Sequence, residues 1–124
     1  MAVDPRFKKG LELFNQKEFF ECHEVIEELW LETPKKDPYR DFYKGVIQSA
    51  AALYQFKRGI LSGAYGLFKT AVRNLEKYPS SVLGLDVQKL ITQMKTCFKD
   101  FEDWDGKKKL SIREKDIPVL SYDG

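Results

Sequence analysis

His23 and Glu27, in the stretch Phe19-Phe-Glu-Cys-His-Glu-Val-Ile-Glu-Glu-Leu-Trp30, set an imidazole and a carboxylate four residues apart. On a helix, side chains at i and i+4 project side by side, so the pair could meet one ion or exchange a proton. His23 is the only histidine in the chain, so chemistry that needs an imidazole at neutral pH has one place to occur. The run His23-Glu24-Val-Ile-Glu27 looks like the zinc-protease helix His-Glu-x-x-His with the second histidine replaced by Glu27. In that reading His23 and Glu27 are metal ligands for Zn, Mn or Fe and Glu24 is the candidate general base. A third ligand would have to be a carboxylate, Cys22 or an amide. The spacing permits a metal without demanding one. Di-iron bundles need Glu-x-x-His on two helices, and position 20 is Phe. No Gly-x-Ser-x-Gly setting and no phosphate-cradling glycine loop is present.

The alternative is a structural or ligand-lining polar cluster. Wound as a helix, the sequence brings Trp30, Phe19, Ile26 and Glu27 all within about 60° of His23, with Trp30 almost directly in line with it. This arrangement predicts that His23 and Glu27 share the buried stripe, where both need partners. Gln48 and Tyr54, polar residues in an otherwise apolar helix, are candidates, and Arg40 is a candidate counter-ion for Glu27. Gln48 and Tyr54 point roughly 120° apart, so both need not reach the cluster.

Five helical segments must position these residues, because period-3.6 patterning dominates and strand alternation is nowhere sustained. Asp4-Pro5 reads as N-cap and first-turn proline of a short helix carrying Phe7, Leu11 and Phe14. The second helix runs from about Lys17 to Leu31 and ends before Thr33-Pro34. Asp37-Pro38 repeats the start signal for a third helix that runs to about Arg58, with Gly59 as its stop. That third helix is apolar or small nearly all round and should be central, with Gly45, Ser49 and Ala52 allowing close approach. The fourth, roughly Ser62 to Tyr78, carries Tyr65, Phe68, Val72 and Leu75 on one stripe. The fifth starts after the N-cap Asp86 and carries Val87, Leu90, Ile91, Met94, Cys97, Phe98 and Phe101. The expected fold is therefore all-α, a compact single-domain bundle with a central buried helix. Residues 1–106 form the helical domain and 107–124 a charged, extended C-terminal tail.

Composition narrows the function classes. With 124 residues, 43% hydrophobic and 32% charged, one sizeable core is possible. Lys and Arg number 21 against 19 Asp and Glu, interleaved, so charge selects neither nucleic acid nor an anionic membrane. The run Lys107-Lys108-Lys109 follows acidic residues and reads as a solvated turn. Two cysteines, Cys22 and Cys97, make no disulfide framework, and neither an export leader nor a membrane span is expected. The expected address is cytoplasmic. A homodimer would follow if Ile117-Pro-Val-Leu120 packed on a neighbour.

Three stretches taken together resemble the domain of unknown function 309 family. They are Leu13-Phe-Asn-Gln-Lys-Glu-Phe-Phe-Glu-Cys-His-Glu-Val-Ile-Glu-Glu-Leu-Trp30, then Arg40-x-Phe42-x-x-Gly45-x-Ile47-Gln48-x-Ala50-x-Ala52-Leu53-Tyr54, then Gly63-Ala64 with Leu75-Glu-x-Tyr78. The resemblance covers about residues 10 to 90. It implies a small all-helical protein with no established activity, whose relatives have carried a general label of predicted metal-dependent hydrolase. The motif positions present are His23, Glu27, Trp30, Arg40, Gly45, Gln48 and Tyr54. The chain departs at Lys44, where the family often has Gln, at Gln55, where it has His, and at Ile60, where it has Asn; Ser62 is then the expected cap. Losing the second imidazole turns the expectation from a metalloenzyme towards a module that binds a small molecule or a protein through His23, Glu27, Trp30, Arg40, Gln48 and Tyr54. No cofactor is expected on that reading, and a divalent metal is the alternative.

Overall fold

The computed structural model describes residues 3–123 and contains five α-helices: α1 (Pro5–Asn15), α2 (Phe19–Glu32), α3 (Arg40–Lys57), α4 (Leu61–Leu75) and α5 (Val87–Cys97). The all-α expectation is met. Two local signals read from the sequence act as expected: the Asp4 carboxylate accepts the Arg6 N–H at the start of α1, and the Asp86 carboxylate accepts the Lys89 N–H at the start of α5. Asp37 accepts the Tyr39 N–H, but helical geometry begins only at Arg40 because a turn through Pro38 and Tyr39 intervenes. The Tyr78 hydroxyl then accepts the Phe42 N–H and donates to the Pro38 carbonyl, closing the start of α3 from a distant part of the chain.

The chain leaves α3 through Gly59 at φ 77°, with Ile60 N–H donating to the Gln55 carbonyl and Gly59 N–H to that of Phe56. This nested pair needs a left-handed residue at Gly59, a conformation that glycine supplies without strain. Ser62 is not the cap of α4: Ile60 holds that position and Ser62 lies inside the helix. The Schellman exit from α3 fixes Ile60 where α4 begins, so a hydroxyl two residues later has no orphan N–H to meet.

α3 is the central helix, packed between α2 and α4. Its small residues do what their positions suggest: a Cβ on Gly45 would sit 2.8 Å from the Leu75 side chain of α4, and Ser49 is fully buried with its hydroxyl donating to the Gly45 carbonyl. Phe7, Phe14, Phe42, Leu53, Leu75, Leu90, Met94, Phe98 and Phe101 form the middle of one core.

A two-stranded antiparallel hairpin between α4 and α5, β1 (Ser81–Val82) and β2 (Leu85–Asp86), escaped the sequence reading. Leu83 and Gly84, both at positive φ, make its two-residue turn. Past a short 3-10 turn at Lys99–Phe101, the C-terminal segment returns across the body. Asn15 donates to the Leu120 carbonyl and accepts its N–H, Tyr122 bridges to Leu85, and Ile117 and Leu120 are buried. The apolar tail residues that could have served a dimer are thus packed on their own chain, leaving Val119 exposed. Among the described residues no helix is long and apolar enough to cross a membrane.

Candidate functional site

Phe20, His23, Glu27 and Trp30 follow one another along the flank of α2 that adjoins α3. The helix turns Phe19, Cys22, Ile26 and Leu29 into the core. The centre of the buried stripe therefore lies roughly 80° from His23 rather than on it. The expected burial of the pair is corrected: the side chains of His23 and Glu27 keep 28% and 39% of their exposure. Cys22 and Leu29, two strongly apolar positions, pull the buried face away from the histidine.

His23 Nε2 lies 3.5 Å from Glu27 Oε2, a loose contact at a half-exposed place. Arg40 is not the counter-ion of Glu27. Its guanidinium donates to the Trp30 carbonyl (3.3 Å) and the Thr33 carbonyl (2.5 Å), closing the C-terminus of α2, and stacks 4.3 Å from the Trp30 ring centroid. Gln48 also leaves the cluster, because its Oε1 accepts from Asn74 Nδ2 at 2.8 Å across the α3–α4 contact. Tyr54 does reach it: its ring centroid lies 5.3 Å from that of Phe20, which stands 6.1 Å from His23.

The result is a cleft of about 120 Å³ between α2 and α3, lined by Phe20, His23, Ala51, Tyr54 and Gln55. A depression of about 230 Å³ shares its Phe20 and Tyr54 wall and continues over Lys17, Lys57 and Arg58. Phe20 is 42% exposed at the mouth. Sequence reasoning missed Phe20, Ala51 and Gln55 as site residues. The helical wheel could have found Phe20, which lies one turn before His23 and on the same side of it as Glu27.

Three cations of α3, and Arg58 just past its end, each lie on an aromatic ring. Arg40 and Lys44 flank Trp30, Lys57 lies over Phe19 at 5.8 Å and Arg58 over Tyr54 at 5.3 Å. Such contacts hold the heads in place while leaving their charge to a partner. On the opposite rim Glu21, as acceptor of a hydrogen bond that Glu18 donates, pushes the Glu18 carboxyl up from its ordinary value, towards its neutral form. Trp30 Nε1 and Gln55 Oε1, at the two ends of this face, are buried without hydrogen-bond partners among the described residues.

As a metal centre the donor set is incomplete. Cys22 is fully buried, and burial pushes its thiol up to about 12, so it offers this face neither a ligand nor a nucleophile. Glu24 is exposed. Among the described residues no three His, Cys, Asp or Glu side chains converge, so the pair supplies two donors where a catalytic zinc takes three from protein.

The family model of a domain of unknown function, DUF309, matches residues 7–67, the segment from α1 into α4 that contains the whole α2–α3 face. Residues 7–67 are thus similar to the DUF309 family. The uncharacterized protein YpuF of Bacillus subtilis (strain 168) is 34% identical over 108 residues, which are 86% of this chain and 62% of YpuF. An uncharacterized protein of Aquifex aeolicus (strain VF5) is 28% identical over 80 residues, 64% of this chain and 24% of the relative. The chain thus spans less than two thirds of either relative. Of the DUF309 motif positions, His23, Glu27, Trp30 and Tyr54 lie along the α2–α3 face, Arg40 closes its end, and Gly45 and Gln48 serve the α3–α4 contact.

Proposed function

We propose that this chain is a protein-binding module whose α2–α3 face takes an acidic peptide segment carrying one apolar side chain. The observation that carries this reading is the cleft walled by Phe20 and Tyr54. Its volume of about 120 Å³ suits a single side chain, whereas pockets for drug-sized ligands run to ~300–1,000 Å³. Phe20, left exposed at its mouth, is the kind of aromatic anchor on which interface energy concentrates. Arg40, Lys44, Lys57 and Arg58, fixed on aromatic rings along α3, supply the charge that an acidic segment would meet. His23 and Glu27 sit between these features and orient the segment through hydrogen bonds. A reducing, cytoplasmic-type interior suits the two buried free thiols.

The test is fluorescence polarisation with a labelled pool of acidic hexapeptides built around a central Leu or Phe. The expected result is saturable binding that Phe20→Ala and Arg58→Glu each weaken by ~10-fold or more, as loss of an anchor does. Equal binding of a basic pool, or no effect of either substitution, would remove the proposal. Elemental analysis of untagged protein tests the metal alternative; stoichiometric Zn, Mn or Fe would favour a hydrolase over a peptide-binding face.

A further inference from the structure

A second concavity lies on the other side of the molecule, mostly beyond the DUF309 match. α4 and the α5 region meet through Phe68 and Phe98, whose rings stack at 4.6 Å and 7°. Tyr65 stacks on Phe101 at 5.0 Å and 16°, and on Phe68 at 6.1 Å and 12°. Near-parallel rings thus line an open cleft of about 470 Å³ between the two elements. The volume lies within the range of small-molecule sites, unlike the α2–α3 cleft.

Charge completes the pattern. Lys69, Arg73 and Lys95 reach this cleft against Glu76 and Glu102. Lys95 and Glu76 are 3.5 Å apart and offset each other. Lys69 lies over the Tyr65 ring at 4.6 Å, aligned with the aromatic wall. Arg73 is exposed, and among the described residues its guanidinium makes no hydrogen bond, ion pair or ring contact. A planar fork with five donors, free beside flat apolar rings, matches a carboxylate, sulfonate or phosphate carried on a flat ring system. Glu102, also in the lining, disfavours a second negative charge beside it.

We propose that the α4–α5 cleft binds a planar aromatic anion of small-molecule size, its ring against the half-buried Tyr65 and Phe68, which Phe98 backs from the core, and its anionic group on Arg73 and Lys69. The site is separate from the α2–α3 face and does not depend on the peptide-binding reading.

Naphthalene-2-sulfonate and 2-naphthylmethylammonium, which share a ring and differ in the sign of charge, are the probes. Each is titrated into the full chain at low salt while backbone amide NMR shifts are followed. The expected result is saturable movement of amides in residues 65–76 and 95–102 with the sulfonate alone, and weakening of its Kd by ~5-fold or more in Arg73→Ala, as for a charge-assisted hydrogen bond. Arg73 is exposed, so this variant keeps the fold, which its amide spectrum verifies; Arg73→Lys should retain part of the affinity. Equal shifts with both probes would show adsorption to apolar rings and overturn the proposal. So would unchanged affinity in Arg73→Ala, shifts confined to the Phe20–Tyr54 cleft, or ligand-free association of two chains through this face in light scattering.

Discussion

His23 stands half-exposed on the flank of α2, its Nε2 3.5 Å from Glu27 Oε2. The sequence places His23, Glu27 and Trp30 on one face, and they are on one face; that face is the flank of the buried stripe rather than its centre. The wheel misleads on burial because Cys22 and Leu29 weigh as heavily as Phe19 and Ile26 in choosing which side of α2 the core takes. A half-exposed His–Glu contact at 3.5 Å is worth little, so His23→Leu should change unfolding free energy by no more than ~0.5 kcal/mol in urea titration. A loss of several kcal/mol would mean that the pair is a structural polar cluster after all. Cys22 and Cys97 lie at the other extreme. Burial pushes both thiols up to about 12, against ~8.5 for a free thiol. The folded chain therefore holds these protons more tightly than the unfolded one. Their contribution to stability is fully present below pH ~8.5–9 and is lost as pH rises towards 12. Neither thiol should react with a disulfide reagent at pH 8 in the native chain, and both should react in denaturant. Rapid native labelling of Cys22 would contradict the packing of α2.

At the scale of elements, the legible parts are those in which a local rule and the tertiary fold agree. Asp4-Pro5 and Asp86 announce helix starts, Gly59 a stop, and the small residues of α3 a crowded contact. What stayed hidden depends on partners far along the chain. Gln48 was free to face the histidine until Asn74 of α4 claimed it, and nothing near Arg40 signals that it closes the end of α2. The hairpin is two residues per strand, too short for alternation to register. Three glycine substitutions, read as changes in urea midpoint, separate the causes. Gly45→Ala should destabilise by ~1–3 kcal/mol, because the new methyl meets Leu75. Gly59→Ala should cost ~1–2 kcal/mol for its left-handed backbone alone, since among the described residues nothing lies within 4 Å of the added methyl. Gly66→Ala, in open space on α4, should stabilise by ~0.5–1 kcal/mol. A uniform response at all three positions would contradict these assignments.

For the whole molecule, the C-terminal segment is part of the body. Ile117 and Leu120 are buried, and Asn15 and Leu85 are paired to residues that follow Leu110. Deleting residues 110–124 should therefore lower stability by about 3 kcal/mol or more, the burial of two large aliphatic side chains, and expose α1 and β2 in hydrogen exchange. Unchanged stability would mean that the tail is an appendage. The α2–α3 and α4–α5 clefts differ in size and in what they offer. The α2–α3 face, within the DUF309 match, has a cleft for one side chain and a line of fixed cations; the α4–α5 face has room for a small flat anion. Amide shift mapping with the acidic hexapeptide pool tests the peptide-binding role of the α2–α3 face. The shifts should gather in residues 17–30 and 40–58, centred on Phe20 and Tyr54, and vanish in Phe20→Ala. Shifts confined to residues 65–102, or none that saturate, would contradict that role.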